Sequence, residues 1–268
     1  LLLLLLGGDA VAPAPDDQST APHPPALRWV GAAAAGGVRR WPRAQPPGAV
    51  APLSVINSSS PSTQDNNHGF EGGKAVLVGS TYHVFTAATF ALPYGTATRL
   101  EHWSSTDRRA WRRHPTLLNS SSVAGGRCKQ HDLKAAVWEP VPVFDPQLDR
   151  WIVFYTAYEC NGTPRVVGNG AYNGSIWHLV STATGVGGIL GPFEEAGLIF
   201  HGDRQVPVGL GVDTFHPYGP INGTWYALTS IAGVQGAGCV SLVSATSLTG
   251  PWHWAERSLG DESWWYLE

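Results

Sequence analysis

The sequence contains no methionine, and charged residues make up only 14% of its 268 residues. The net charge is −3, which gives no electrostatic footprint for nucleic acid, so we expect no nucleic-acid partner. Apolar runs are all shorter than about 18 residues, and we therefore expect no membrane-spanning helix. Because an initiator methionine is missing, we expect the sequence to be a fragment of a longer protein.

Cysteine is scarce as well. The three cysteines, Cys128, Cys160 and Cys239, are an odd number, and their spacing fits no zinc-binding pattern. One disulfide and one remaining thiol are the simplest expectation, and the sequence leaves the pairing open. The metalloprotease motif H-E-x-x-H and the α/β-hydrolase motif G-x-S-x-G are also missing, so neither of those enzyme classes is indicated.

Glycine (32), proline (21) and tryptophan (12) are plentiful. This composition, with few charged residues, is typical of short strands joined by many turns. We therefore predict an all-β protein.

The N-terminal region differs from the rest. Leu1 to Leu6 followed by small residues resembles the apolar core and cleavage region of a signal peptide. We expect residues 1–52 to be a signal-peptide remnant and a disordered leader rich in Ala, Pro and Gly.

Five sites match the N-glycosylation sequon N-x-[S/T], which predicts a secreted or secretory-pathway glycoprotein. Asn222-Gly223 is also a signal for a tight hairpin turn, and this alternative stays open. The predicted glycosylation sites are Asn57, Asn119, Asn161, Asn173 and Asn222.

A three-part pattern occurs three times after about residue 66. Each copy begins with an apolar strand that carries a carboxylate near its start: Glu71, Glu139 or Asp213. A turn and an aromatic-rich strand follow, and then an alternating strand that leads to a Ser/Thr turn and an aromatic residue.

The repeat length of about 70 residues suits a four-stranded sheet with long loops, and such sheets must stack on one another to bury their faces. The sequence thus predicts a partial β-propeller over residues 53–268, and three unrelated β-meanders in a sandwich are the alternative. The expected blades span about 66–118, 133–200 and 210–257, with the start of a fourth at 258–268.

These segments resemble the five-bladed β-propeller glycosidases, of which glycoside hydrolase family 43 is the nearest; families 32 and 68 share the architecture. Val137 to Asp145 looks like the W-A-P-D segment of the family's second blade. Ser105 to Trp111 is similar to its S-x-D-x-x-x-W blade ending. Gly191-Pro-Phe193 and Gly250-Pro-Trp252 look like its G-P-W/F turns.

Glycoside hydrolysis usually needs two carboxyl groups, one protonated to donate to the leaving oxygen and one ionised. In a propeller the first strand of every blade lines the axis. Carboxylates near the start of successive first strands therefore converge at one mouth of the axial channel. On this reasoning Glu71, Glu139 and Asp213 are the predicted catalytic residues.

The resemblance implies roles for them: Glu71 as base, Glu139 as modulator and Asp213 as acid. The family order is Asp, Asp, Glu, and its second aspartate would fall on Val141 here. Glu139 lies two positions earlier, which in a regular strand keeps the same face.

Sugar rings pack their C–H faces on aromatic rings, so residues beside the carboxylates are candidate substrate-binding groups: Phe70, Trp138 and His216. Core packing is the alternative for Trp138, since neighbouring strand residues point to opposite faces. His216 would need a local bulge to reach the side of Asp213. Asp65 and Asp132 are nearby carboxylates that also fit turn or cap positions.

The sequence therefore predicts a secreted glycosidase that hydrolyses O-glycosidic bonds in a polysaccharide or oligosaccharide, with carbohydrate as its partner. One alternative is a catalytically inactive carbohydrate-binding propeller. Another is a structural propeller whose carboxylates form hydrogen bonds between blades. No cofactor is required, although the family resemblance allows a calcium ion on the axis.

Overall fold

A computed structural model describes residues 70–89, 97–121, 132–160, 174–201, 211–232 and 238–256. All of them belong to the compact unit Val50–Glu268. The predicted leader 1–52 and the expected start of a fourth blade lie outside the described residues. So do Asp65, Asn57, Asn161 and Asn173.

The described residues form three antiparallel sheets in chain order, which confirms the all-β prediction. Sheet 1 contains β1 Phe70–Val78, β2 Thr81–Thr89, β3 Thr98–Ser105, β4 Arg112–Arg113 and β5 Leu118–Asn119. Sheet 2 contains β6 Ala136–Asp145, β7 Arg150–Tyr158, β8 Gly174–Ser181 and β9 Phe193–His201, with a 3₁₀ helix at Val186–Leu190. Sheet 3 contains β10 Gly211–Ile221, β11 Thr224–Ala232, β12 Gly238–Ala245 and β13 His253–Glu256. No helix within the described ranges is long and apolar enough to cross a membrane.

Tight turns join the first two strands of each sheet. In sheet 3, Asn222 and Gly223 both have positive φ, at 50° and 80°, as a two-residue hairpin requires. In sheet 2, Asp145 closes the turn by accepting hydrogen bonds from the N–H groups of Gln147 and Leu148. Asn222 is exposed, and so is Asn119 on β5; their glycosylation stays a prediction.

Apolar residues fill the space between neighbouring sheets. One core joins Phe85 and Leu100 of sheet 1 to Val153 and Tyr155 of sheet 2. A second core joins the opposite face of sheet 2 to sheet 3, where Phe154 lies 5.1 Å from Phe215 between ring centroids. Sheet 2 is therefore covered on both faces, and the three sheets stack in chain order.

The first strands of the sheets are also neighbours. Strand β6 packs against β1 on one side and against β10 on the other. The stack therefore brings the three carboxylate-bearing strands together along one edge.

Three histidines form a stack on the face of sheet 1 that packs toward sheet 2. His102 is 1% exposed, and its ring lies between Phe85 and His114, each with a centroid 4.3 Å away. His102 Nε2 is 2.9 Å from Nδ1 of His83. Burial, with smaller contributions from His114 and His83, lowers the pKa of His102 to about 2. Burial also lowers the pKa values of His83 and His114, and Arg112 adds to the effect on His114.

We expect this stack to make the fold sensitive to acid. Between the pKa near 6.5 of an unfolded histidine and the lowered values here, only the unfolded chain binds the protons, so stability falls as pH drops below about 6.5. For His102 alone the loss is about 1.4 kcal/mol per pH unit. Urea unfolding at pH 7 and pH 5 should show it, and His102→Phe should flatten the slope. The exposed His253→Gln is the control; equal slopes in all three proteins would contradict the idea.

Candidate functional site

Each first strand is interrupted by a bulge at the same place. Pairing with the second strand skips from Glu71 to Lys74 in β1, from Trp138 to Val141 in β6, and from Asp213 to His216 in β10. In each case two residues on the first strand face one residue on the second. The first residue inside each bulge has positive φ: Gly72 at 57°, Glu139 at 49° and Thr214 at 50°. Bulges bend a strand and re-aim its side chains, and they are common beside active sites.

The register corrects the expected equivalence of the three carboxylates. Glu71 and Asp213 are the last paired residues before their bulges, but the residue in that position of β6 is Trp138. Glu139 lies one residue later, inside the bulge. Glu139 and Val141 would share a face only in a regular strand. Because the bulge lies between them, Trp138 shares the face of Val141 instead.

Asp213 is 9% exposed and its carboxylate is held by a neighbouring sheet. The Tyr158 hydroxyl, at the end of β7, donates to Asp213 Oδ1 over 2.6 Å. The backbone N–H of Thr214 donates to the same oxygen over 2.9 Å. Asp213 is thus fixed at the junction of sheets 2 and 3.

Threonine hydroxyls secure two of the three bulges. Thr229 donates to the carbonyl oxygens of Asp213 and Thr214, at 3.1 and 2.8 Å. In sheet 1, Thr86 occupies the matching position and donates to the carbonyl of Gly72 over 3.1 Å. In sheet 2 the matching residue is Tyr155. The two threonine hydroxyls hold the strained backbone in place without depending on the bulged side chains.

Glu139 lies directly against the bulge of sheet 1. A Cβ built on Gly72 would be 2.6 Å from Glu139 Cγ and 3.5 Å from its Cα. Only glycine fits this contact, and it also accommodates the positive φ. Glu139 is half-buried, with its Oε2 shielded from solvent. Of Glu71 the structure describes the backbone, which precedes Gly72 and so places residue 71 beside the Glu139 side chain.

Comparison with known proteins concerns the fold. No protein-family model matches the chain, and neither does any curated protein. A family 117 glycoside hydrolase of the marine bacterium Zobellia galactanivorans aligns with 71% of this chain and 55% of its own, at 13% identity and a TM-score of 0.51. A thermostable family-43 glycoside hydrolase aligns over 72% of this chain and 54% of its own, at 14% identity and a TM-score of 0.46. Fructan 1-exohydrolase IIa from Cichorium intybus aligns with 70% of this chain and 32% of its own, at 14% identity and a TM-score of 0.48.

The fold is that of a partial β-propeller. We refer to the three stacked sheets, which have five, four and four strands and adjoining first strands, as its blades. The chain spans about half the length of the first two solved structures that it resembles.

The predicted aromatic platform is not formed by Trp138. This side chain is 6% exposed and belongs to the core between the first and second blades, so a sugar ring has no access to its face. His216 is half-buried, and the bulge that it needed is present. Asp213 pairs with Ser230 and His216 with Leu228, two residues apart, so Asp213 and His216 share one side of the blade. For Phe70 the structure describes the backbone alone. Asp132 accepts a hydrogen bond from the N–H of Lys134, as a turn residue does.

A calcium site finds no support among these residues. The described part of the chain contains no group of three or more His, Cys, Asp or Glu side chains that could hold a metal ion. A cleft of about 290 Å³ lies beside the histidine stack, and its lining includes His102, His114 and Phe193. It lies between the outer strands of the first two blades and away from the bulges of the first strands. Cys160 is buried and disulfide-bonded.

Sequence reasoning missed four residues of the site: Tyr158, Thr86, Thr214 and Thr229. The two threonines of the second strands had a weak signal, because each follows an aromatic or leucine residue and lies 15 or 16 residues after its blade's carboxylate. Tyr158 had none, since its partner Asp213 is 55 residues away.

Proposed function

We propose that this chain is part of a glycoside hydrolase that cleaves O-glycosidic bonds in a polysaccharide or oligosaccharide. The observation that carries the proposal is the matched bulge. It places Glu71 and Asp213 at the same register of the first strands of the first and third blades, with Glu139 between them on the second. Two carboxyl groups in unlike surroundings are what hydrolysis of a glycosidic bond needs.

The different surroundings of the carboxylates support different roles for them. Asp213 accepts hydrogen bonds from the Tyr158 hydroxyl and the N–H of Thr214, and Glu139 is packed against Gly72. Positive φ at Glu139 and Thr214 stores strain of order 1–3 kcal/mol each, and such strain clusters at functional sites. In this proposal Glu71 and Asp213 exchange protons with the substrate, and Glu139 modulates the charge between them. His216 lies on the side of Asp213 and is a candidate to contact the sugar.

A second candidate is a carbohydrate-binding propeller without hydrolytic activity. Trp138 favours it, because it occupies the position in the second blade that carries a carboxylate in the other two. Val141, where the resemblance places an aspartate, is fully buried.

Incubating the full chain with aryl glycosides and with plant and algal polysaccharides separates these candidates. The proposal expects release of the aglycone or of reducing sugar. Retention on a polysaccharide in affinity electrophoresis without any release would favour the binding protein. If no substrate is either cleaved or retained, both candidate functions are excluded.

We also propose that the protein is secreted and N-glycosylated. The exposed Asn119 and Asn222 support this, since an acceptor asparagine must be accessible. Expression through a eukaryotic secretory pathway should yield a product whose mass falls on treatment with an N-glycosidase, and an unchanged mass would contradict it.

A further inference from the structure

We infer that Tyr158 is a positioning residue that keeps the Asp213 carboxyl ionised, so that Asp213 accepts a proton during catalysis and Glu71 donates one. The inference rests on the proposed function and reverses the roles that the family resemblance implies. In the step, Glu71 gives its proton to the glycosidic oxygen as the bond to the anomeric carbon breaks. Asp213 takes a proton from the attacking water, whose oxygen bonds to that carbon.

The two hydrogen bonds that Tyr158 and Thr214 donate to the Asp213 carboxylate reach the same oxygen. Tyr158 donates to Oδ1 from the second blade, and Thr214 donates to Oδ1 from the backbone of the bulge. Tyr158 itself is 5% exposed, so bulk water does not compete for its hydroxyl.

Hydrogen bonds to a charged group are roughly twice as strong as those between neutral groups. Two donors on Oδ1 therefore stabilise the ionised carboxylate more than the protonated acid. A general acid must hold its proton at the working pH. Asp213 has the surroundings of the ionised partner, and proton donation falls to Glu71, which has the matching register on the first blade.

Packing fixes the phenol at this position. Tyr158 pairs with Gly174 across strands β7 and β8, and a Cβ on Gly174 would be 3.3 Å from Tyr158 Cε1 and would overlap the carbonyl oxygen of Val212. Val212 precedes Asp213 in β10. The missing side chain at Gly174 thus lets the second blade approach the third closely enough for the hydrogen bond.

Tyr158→Phe tests the inference, with Tyr155→Phe as the matched control. Tyr155 is also buried in β7, and its hydroxyl finds no hydrogen-bond partner within the described part of the chain. With an aryl glycoside as probe, Tyr158→Phe should lower kcat/KM roughly 10-fold or more. The acidic limb of the pH profile of kcat/KM should move to higher pH in Tyr158→Phe, because Asp213 loses a donor that stabilises its ionised form. The KM should change little. Tyr155→Phe should keep the wild-type profile. A lower rate with an unmoved acidic limb would mean a purely structural bond between blades and would overturn the inference.

A titration followed by carboxyl ¹³C NMR provides a readout without turnover. The Asp213 signal is identified by its loss in Asp213→Asn. It should titrate below the usual range of an aspartate in the wild type and move to higher pH in Tyr158→Phe. If Asp213 titrates above that range in the wild type, the inference fails, whether or not the tyrosine variant folds. If the protein hydrolyses no glycoside, the proposed function fails while this titration still decides the state of Asp213.

Discussion

Asparagine at position 213 should lower the rate of glycoside hydrolysis about 10²- to 10⁴-fold, the usual contribution of a positioned acid or base. The substitution removes the ionisable group and little else. Its amide oxygen can still accept the hydrogen bonds from Tyr158 and from the N–H of Thr214, so the third blade should keep its place. Glu71→Gln should have an effect of the same order. Initial rates at the pH optimum measure both.

The control for these variants is Asp149→Asn. Asp149 is an exposed turn residue with φ of 53°, a conformation that asparagine also adopts readily, so this variant should match the wild type. Polysaccharide binding should survive in Asp213→Asn, because asparagine has nearly the size of aspartate and its amide oxygen can accept the same hydrogen bonds. Hydrolysis at the wild-type rate in Asp213→Asn and Glu71→Gln would remove these residues from the mechanism, even if the chain proved to be a glycosidase.

Alanine at position 174 should destabilise the protein by at least about 3 kcal/mol, at the upper end of what overpacking costs. The new methyl group would overlap the backbone oxygen of Val212, and a backbone atom cannot rotate away as a side chain does. The second and third blades would have to separate, opening the core between Phe154 and Phe215. For a unit of this size the midpoint of thermal unfolding should fall by roughly 10 °C.

Gly187→Ala is the matched control for Gly174→Ala. Gly187 is an exposed residue of the 3₁₀ helix, and a Cβ there would meet nothing within 4 Å. Its melting temperature should stay within about 1 °C of the wild type, since exposed substitutions rarely matter. Equal melting temperatures for the two variants would mean that the blades are not packed as described.

The fold was accessible from the sequence because it repeats. Three copies of a carboxylate-bearing strand, a tight turn and an aromatic strand predict three similar sheets, and a repeated sheet with two apolar faces has to stack. The hairpin at Asn222-Gly223 was predictable from these two residues alone, since both adopt the positive φ that their residue types tolerate. What the pattern could not supply is the register within a strand.

The site shows why register matters. Alternation predicts side-chain direction only while the strand is regular, and one extra residue shifts everything after it. Glu139 was therefore aligned one residue away from its structural position, whereas the bulge that His216 required is present. The adjacent glycines Gly72 and Gly73 are a sequence signal for the bulge in β1. The bulges in β6 and β10 have no such signal, because Glu139 and Thr214 adopt positive φ against the preference of their residue types. The role of Tyr158 could not be predicted from the sequence, because contacts between blades leave no local sequence pattern.

The three bulges have an evolutionary consequence. Since threonine hydroxyls and strand pairing hold the backbone in the first and third blades, the side chain just before each bulge can change without rebuilding the loop around it. A carboxylate can thus be lost at Glu71 or at Asp213 by substitution at one position. Descendants of one ancestral scaffold could in this way move between cleaving a sugar chain and only holding it, with no rearrangement of the frame.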